Sequence, residues 1–401
     1  MIYFDNAATS SERPAAVSRA VERAVRTFGS PSRGAHGPSL LADRTMEETR
    51  QYLSDLFNAG GPQQIAFTMN ATQALNTALF GIGLKKGDHL ITSVLDHNSV
   101  LRPSYRLRDQ GIKLHIIGAD RSGNLMTGDL KKLLAELAEE NAECKRPGKE
   151  RRIAVALTHA SNVTGNVTDI GMIGRMCRRA GAVFIADAAQ TAGILPIDMQ
   201  KMHIDILCFS GHKALMGPQG TGGIAVRPGL ALSPLMEGGS GVFTFLQHMP
   251  EYMPAQLEAG TQNAQSIAGL LAALKASDGK YEERFCRERD LTLYFLKGIN
   301  ALNRESTEEE PPVRIYGEPE KDPHLPTVAF NLQEEDSAEI ADLLWRKYGI
   351  AVRAGGHCAP LMHRHFGTEE RGMVRVSFSC FNTKKQIDVL LRAIRGLLKN
   401  N

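Results

Sequence analysis

The chain has 401 residues, which is long for one domain and comfortable for two. Apolar residues make up 42% and charged residues 23%, the balance of a globular protein with a large core. With 47 basic against 44 acidic residues, the formal charge of +3 gives no indication of direct nucleic-acid binding.

The N-terminus and the cysteines bear on location and redox state. Met1 to Ala8 carries Asp5 and Asn6 inside its apolar stretch and has no basic lead, so it is not typical of a signal peptide. No apolar run approaches the roughly 18 residues of a membrane span, and a cytoplasmic location without membrane contact is expected. The six scattered cysteines lack metal-ligand spacing and predict reduced thiols, with Cys208 in the core.

Short apolar runs alternate with helical patterns from about residue 63 to 230. The expected strands are Gln64–Thr68, His89–Val94, Lys113–Ile117, Ile153–Leu157, Val183–Ala186, Ile204–Phe209 and Gly223–Val226. The expected helices between them are Ala71–Leu79, Val100–Arg108, Leu130–Leu137 and Ile170–Arg179. This alternation predicts an α/β fold whose mostly parallel sheet is buried on both faces.

The C-terminal part has a different order of predicted helices and strands. From Ile267 a long helical pattern leads to strands at Thr327–Leu332 and Val374–Phe378 and to the amphipathic helix Lys385–Leu398. This order predicts a second, smaller α+β domain. The segment Arg304–Pro326, rich in Glu and Pro, is predicted to loop out at its surface.

Unusual polar residues follow five of the predicted strands. They are Ala71 with Thr72, Asp96 with His97 and Asn98, Asn162, Asp187 with Gln190, and Ser210 with His212 and Lys213. Ligands of an open parallel sheet bind beyond the carboxyl ends of its strands. Each feature alone has an ordinary explanation, such as a helix cap for Asp187 or a surface position for Lys213. Only their combination predicts one shared ligand.

Pyridoxal 5'-phosphate is a ligand that would use these residues together, and four of them suit its pyridine ring and the groups attached to that ring. Its aldehyde needs a lysine amine, which Lys213 can supply as a Schiff base. Its pyridine nitrogen must stay protonated for the ring to act as an electron sink, and Asp187 is the candidate partner. His97 can stack on the ring, and Gln190 can hydrogen-bond the phenolic oxygen.

The cofactor's phosphate would use the remaining groups. A phosphate dianion favours backbone N–H groups at a helix N-terminus together with hydroxyl donors. The helix start at Ala71 and Thr72 and the hydroxyl of Ser210 can provide them, and His212 can add a further donor.

The motifs that contain these residues resemble the class V aminotransferase family, in its cysteine desulfurase and selenocysteine lyase branch. The resemblance spans nearly the whole chain, from Tyr3–Thr9 to Val374–Ser377, and its most specific motifs are Ala186–Gln190, Ser210–Lys213 and Glu258–Asn263. It implies a fold-type I PLP-dependent transferase, with a large domain built on a mostly parallel seven-stranded sheet and a smaller C-terminal α+β domain.

The resemblance also implies a division of the chain. Residues 1–15 would be an N-terminal segment packing with the small domain, and residues 16–262 the large PLP-binding domain. Residues 263–401 would be the small domain, which carries the catalytic cysteine loop Arg353–Ala359. Thr261 would bind the phosphate in the partner's site across a homodimer interface.

The activity implied by the resemblance is cysteine desulfuration. Freed Lys213 would remove the Cα proton of L-cysteine, and His97 could also pass protons. The Cys358 thiolate, favoured by nearby His357 or Arg353, would attack the substrate sulfur, leaving L-alanine and an enzyme persulfide for a sulfur-acceptor protein.

The substrate would be held by three residues in this reading. Arg375 would bind the carboxylate of L-cysteine as a bidentate pair, Arg353 would assist, and Asn162 would position both cofactor and substrate.

The chain departs from the family pattern at three places. The common cysteine loop has two histidines before the cysteine, whereas this loop has Gly356-His357. The segment from Lys213 to Gly217-Pro218 is one residue longer than usual, and Gly239–Leu257 is shorter than the hairpin near the partner's site.

Several functions stay open from sequence alone. Nothing separates sulfur from selenium, so selenocysteine lyase is a close alternative. An aminotransferase or a kynureninase-like hydrolase would need no thiol, so dependence on Cys358 discriminates against both. The alternative that is not an enzyme is a scaffold protein, which would bind the cofactor or a partner without turnover.

Overall fold

The structure, a computed structural model, describes residues 1–31, 34–143, 151–306 and 310–399. Its strands are β1 (Ile2–Tyr3), β2 (Ile65–Thr68), β3 (His89–Ser93), β4 (Lys113–Ile117), β5 (Ile153–Thr158), β6 (Val183–Asp187), β7 (Ile206–Ser210), β8 (Gly222–Val226), β9 (Val313–Tyr316), β10 (Thr327–Leu332), β11 (Ile350–Ala351) and β12 (Val374–Ser377). Its helices are α1 (Ala15–Thr27), α2 (Gly37–Phe57), α3 (Ala71–Gly81), α4 (Asn98–Asp109), α5 (Thr127–Ala142), α6 (Ile170–Arg179), α7 (Ala264–Ser277), α8 (Tyr281–Glu305), α9 (Ser337–Tyr348), α10 (Pro360–Phe366) and α11 (Lys384–Lys399). Cys144, one of the six predicted thiols, lies outside the described residues.

The main sheet has seven strands in the order β2-β8-β7-β6-β5-β3-β4. Six of them run parallel, and β8 runs antiparallel to both of its neighbours, β7 and β2. The predicted mostly parallel sheet is therefore confirmed. Each predicted strand of this sheet agrees with the structure to within two residues at either end.

Both faces of the main sheet are covered by helices. On one face Phe57 of α2 packs with Phe184 and Phe209 of the sheet, and on the other Leu75 and Leu79 of α3 are buried. Burial of such a side chain contributes about 1.5–3 kcal/mol. All six residues of β5 are buried, as expected for a central parallel strand, and the predicted core position of Cys208 is confirmed.

A three-stranded antiparallel sheet, in the order β12-β10-β9, forms the second core. Phe295 of α8 lies against Phe330 and Phe378, with ring centroids 6.1 and 5.7 Å away. The α+β prediction for this part is confirmed, but the prediction that Arg304–Pro326 loops out is wrong for β9. Val313 and Tyr316 are buried and pair with β10, so four residues of this segment form an edge strand.

The N-terminal segment lies against this second core. Strand β1 pairs in parallel with β11, and the buried Phe4 packs edge-on against Phe378 at 5.2 Å. By contrast, Ile267 and Leu270 of α7 belong to the core of the main sheet. We propose that residues 1–15 pack with the small domain, as predicted, and that the boundary predicted after residue 262 lies after α7. Within the described residues, no helix is both long and apolar enough to span a membrane.

Candidate active site

A cavity of about 220 Å³ lies beyond the carboxyl ends of the parallel strands. The structure brings nine of the predicted residues to its wall: Ala71, Thr72, His97, Asn162, Asp187, Gln190, Ser210, His212 and Lys213. Asn70, Ser99 and Thr158 also line it and were missed by sequence reasoning. Thr261 does not line the cavity and lies on an exposed loop.

Lys213 follows β7 through a tight turn that needs glycine at Gly211. A Cβ added to Gly211 would lie 2.2 Å from Thr221 Oγ1, because the Gly211 amide already bonds the Thr221 carbonyl at 2.8 Å. Burial lowers the pKa of Lys213 to about 8, and the nearby charge of Arg375 acts in the same direction, while Asp187 opposes it. The site therefore holds an amine that is far easier to deprotonate than an exposed lysine.

Asp187 ends β6 as a buried carboxylate. Its Oδ1 accepts a hydrogen bond from the Ala189 amide at 2.9 Å, and burial raises its pKa against the opposing influence of Lys213. A buried carboxylate with so few donors needs a cationic or proton-donating partner to stay ionised. A protonated pyridine nitrogen is such a partner.

His97 caps the N-terminus of α4. Its Nδ1 accepts from the Ser99 amide at 3.0 Å, which leaves the proton of the neutral ring on Nε2. Burial, with Lys213 next in effect, lowers the pKa of His97 to about 4, so the ring is uncharged at neutral pH. The turn before it is pinned by Asp96, whose Oδ1 accepts from the Thr158 amide at 2.7 Å. A neutral ring fixed in this way suits stacking on an aromatic ligand.

The other end of the cavity is rich in hydroxyl groups and backbone amides. Asn70 caps α3 by accepting from the Gln73 amide at 2.9 Å, and Thr72 shares a 2.7 Å hydrogen bond with Ser99. Ser210 lies at the end of β7. A helix N-terminus beside hydroxyl groups is suited to a phosphate dianion.

His212 and Gln190 connect this wall to the N-terminal segment. His212 Nδ1 lies 3.1 Å from Thr9 Oγ1, and burial lowers the pKa of His212 to about 4. Gln190 donates its side-chain amide to the Ala7 carbonyl at 3.1 Å. Amine, buried carboxylate, neutral imidazole and phosphate-binding groups thus occur together, and this donor set fits the predicted pyridoxal phosphate.

Arg375, which was predicted to bind the substrate carboxylate, lies on β12, where it is buried. Its Nη1 donates to the Asn162 carbonyl at 2.8 Å, and its Nη2 donates to Asp5 Oδ1, also at 2.8 Å. Within the described residues its buried Nε has no hydrogen-bond partner. The guanidinium is therefore held through both of its Nη atoms, while its Nε–H has no partner. Arg353 is exposed and pairs with Arg375 through the backbone.

The Cys358 loop has an unusual backbone. His357 and Cys358 have φ values of 49° and 56°, a left-handed conformation that costs about 1–3 kcal/mol for each non-glycine residue. Their carbonyls accept hydrogen bonds from the Asn162 side chain and the Asn98 amide, both at 2.8 Å. These contacts fix the loop beside the cavity wall and leave the Cys358 side chain exposed.

The expectation that His357 supplies positive charge to Cys358 is wrong. The His357 ring is buried, and burial, together with the charge of Arg375, lowers its pKa well below the usual value. The ring is therefore neutral at physiological pH. Of the two residues expected to favour the Cys358 thiolate by their charge, only Arg353 remains.

Known proteins resemble the chain over nearly its whole length. The family model of the class-V aminotransferases matches residues 2–390. A probable cysteine desulfurase of Pyrococcus abyssi is 32% identical over 100% of this chain and 95% of its own. The cysteine desulfurase IscS of Vibrio campbellii is 30% identical over 98% of this chain and 92% of its own. A solved apo structure of a cysteine desulfurase from Thermococcus onnurineus has a TM-score of 0.88 at 30% identity, covering 100% of this chain and 95% of that one.

Proposed function

The chain belongs to the class-V aminotransferase family, and on that premise we propose that it is a pyridoxal-phosphate-dependent cysteine desulfurase. It converts L-cysteine to L-alanine and holds the released sulfur as a persulfide on Cys358 for a sulfur-acceptor protein. One observation carries the proposal. Asn162 lines the cavity of Lys213 and Asp187 and also hydrogen-bonds the carbonyl next to Cys358. An exposed thiol and a cavity suited to the cofactor are thus joined by one side chain.

Residues from three strand ends would hold the cofactor. When bound, pyridoxal phosphate supplies an aldehyde that condenses with amines and a ring that takes up negative charge from the substrate's α-carbon. Lys213 would hold the aldehyde end, and Asp187 would pair with the pyridine nitrogen. Thr72, Ser210 and the start of α3 would hold the phosphate.

The protein's own groups then orient L-cysteine and move its proton. Arg375 has an open Nε and a fixed orientation, which suit it to the substrate carboxylate. The neutral form of Lys213, accessible because of its lowered pKa, takes the proton from the α-carbon. His97 would stack on the ring.

Sulfur transfer is the task of Cys358. Its thiolate forms a bond to the substrate sulfur while the substrate's carbon–sulfur bond breaks. The electron pair of that bond goes to carbon, which takes up the proton released by the Cys358 thiol to become the methyl group of alanine. Lys213 returns its proton to the α-carbon. The sulfur remains on Cys358 as a persulfide.

A homodimer completes the proposed site. Thr261 is exposed and does not line the cavity of its own subunit, and its neighbour Gly260 donates a hydrogen bond to the Gly239 carbonyl at 2.8 Å. The segment that follows Gly239 exposes Phe243, Phe245 and Leu246, with Phe245 fully exposed. Adjacent exposed apolar side chains of this size mark interaction surfaces. A second copy covering this surface brings Thr261 to the partner's phosphate site.

The decisive experiment gives cofactor-loaded protein L-cysteine and a thiol reductant and measures alanine and sulfide together. Equal amounts of both are expected. Cys358→Ala should abolish both products while borohydride still fixes the cofactor on Lys213. Cys286→Ala, which removes another exposed thiol on α8, is the matched control and should retain full activity. Undiminished turnover by Cys358→Ala, or no alanine from the unaltered protein, would contradict the proposal.

A further inference from the structure

The left-handed turn at His357 and Cys358 is held in place by three groups. The side chain of Asn162 and the amide of Asn98 bond its two carbonyls. The third group is the His357 imidazole, which is buried although the neighbouring Cys358 side chain is exposed. Because left-handed backbone is unfavourable for both residues, the turn persists only through such contacts.

The His357 ring is backed by a second imidazole from outside the loop. His363 of α10 stacks on it with 5.5 Å between ring centroids and 12° between ring planes. His357 Nδ1 lies 3.3 Å from His363 Nε2. His363 is itself anchored, since its Nδ1 lies 2.9 Å from Thr368 Oγ1 and 3.4 Å from the Thr368 carbonyl, and Thr368 is fully buried.

The protons of this chain of groups have one consistent arrangement. The Thr368 carbonyl can only accept, so the proton of neutral His363 lies on Nδ1. His363 Nε2 is then an acceptor, and His357 Nδ1 must donate to it. Burial is the main cause that lowers the pKa of both rings, which keeps both neutral. If both rings were protonated, His363 Nε2 would carry a proton and could no longer accept, so the contact between the two rings would break.

We propose that His363 is a positioning residue for Cys358, which acts by accepting a hydrogen bond from His357 and so fixing the turn that presents the thiol. The inference rests on the proposed function, because it gives the loop a role in persulfide formation. It concerns a residue that touches neither cofactor nor substrate. Its consequence is that turnover falls when the His363 acceptor is removed, although the cavity is intact.

Three substitutions separate the hydrogen bond from the stacking. His363→Gln retains an acceptor at the end of its side chain, and His363→Phe retains a stacking ring without an acceptor. Thr368→Val removes the hydroxyl that anchors His363 and leaves only the backbone carbonyl. His365, exposed on the same helix and bonded to the Asp120 carbonyl, supplies the matched control His365→Phe. The measurements are kcat and KM for L-cysteine, cofactor occupancy, and amide hydrogen exchange of residues 353–359 in the cofactor-loaded protein.

For His363→Phe we expect kcat about tenfold lower, with KM and occupancy unchanged and faster exchange of the loop amides. His363→Gln should remain within about threefold of the unaltered protein, and Thr368→Val should resemble His363→Phe. If His363→Phe does not fold, Thr368→Val carries the test. Unaltered kcat and loop exchange in His363→Phe, or equal losses in His365→Phe, would overturn the inference. If the unaltered protein makes no sulfide, the proposed function fails, while the exchange data still report on the loop contact.

Discussion

Arg375 and Asp5 form a buried ion pair, 2.8 Å between Nη2 and Oδ1, that joins β12 to the N-terminal segment. The side chain of Arg375 is 3% exposed and that of Asp5 is 18% exposed. The pair fixes the guanidinium proposed to bind the substrate carboxylate. It also ties the first residues of the chain to the site, because Asp5 forms a backbone bridge with Ser377.

Asp5→Asn should leave Arg375 as a buried cation without its partner. Removal of one member of a buried pair costs about 3–5 kcal/mol, and we expect a loss of about 3 kcal/mol because Asp5 is partly exposed. Denaturant unfolding measures this loss, and KM for L-cysteine should rise as the guanidinium loses its orientation. Glu305→Gln breaks the exposed pair with Arg395 and should leave both quantities unchanged. Equal stability of Asp5→Asn and the unaltered protein would contradict this account.

The pH dependence of cofactor loading should follow Lys213. Burial favours the neutral amine and lowers its pKa from 10.5 to about 8, and only the neutral amine attacks an aldehyde. In cofactor-free protein the loading rate should rise about tenfold per pH unit below pH 8 and become level above it. Stopped-flow absorbance measures the rate.

Asp187→Asn provides the comparison for this loading experiment. Asp187 raises the pKa of Lys213 against the effect of burial, so its neutralisation should move the levelling point to lower pH. A loading rate that continues to rise to pH 10 in the unaltered protein would show that the Lys213 amine is not perturbed.

Patterns of apolar residues within single segments predicted those helices and strands whose sequence itself carries the pattern. Strand β4 and helix α6 were predicted to the residue, because an apolar run in β4 and a strong 3.6-residue period in α6 are visible within each segment itself. Strand β9 was missed because its four residues lie among Pro and Glu residues and gain their burial only by pairing with β10.

The site was predictable where strand ends converge and unpredictable where distant segments meet. Lys213 and Asp187 follow neighbouring strands, so topology alone brings them together. Asp5 and Arg375 are 370 positions apart, and nothing local indicates their contact. His357 is neutral chiefly because its ring is buried, and the His363 ring that it contacts belongs to no loop motif. Gly356, where the family pattern has histidine, is an exposed residue of the loop.

Glu288 should make stability depend on pH. This residue of α8 is buried, and burial raises its pKa to about 7 although the Cys380 amide donates to it at 2.9 Å and Arg284 is nearby. The folded state therefore prefers the protonated form. The contribution of Glu288 to the free energy of unfolding is therefore fully present below about pH 4.5, the pKa of the side chain in the unfolded chain. This contribution is lost as the pH rises toward 7.

Glu288→Gln retains the acceptor without the titration. Relative to the unaltered protein it should gain roughly 3 kcal/mol in free energy of unfolding between pH 5 and pH 8. Urea unfolding at both pH values measures the difference. Glu282→Gln, exposed on the same helix, should show no such dependence. If the difference in free energy of unfolding between Glu288→Gln and the unaltered protein were the same at both pH values, it would contradict the raised pKa of Glu288.

Mixing two inactive variants tests whether the proposed dimer shares its sites. Thr261 is exposed and does not line the cavity of its own subunit, so a Thr261→Ala subunit retains Lys213 but offers no threonine to its partner. A Lys213→Ala subunit offers Thr261 but has no amine. In a mixed dimer the Thr261→Ala subunit then has its own Lys213 and receives Thr261 from the other subunit, so one complete site forms.

Co-expression of the two variants with different affinity tags isolates this mixed dimer. If Thr261 acts across the interface, its desulfurase activity should be about half that of the unaltered dimer, well above either parent, because one site of two is complete. If Thr261 acted within its own subunit, the site with Lys213 would still lack the threonine and the site with Thr261 would lack the amine. Activity of the mixed dimer no higher than the mean of its parents would therefore contradict the shared site.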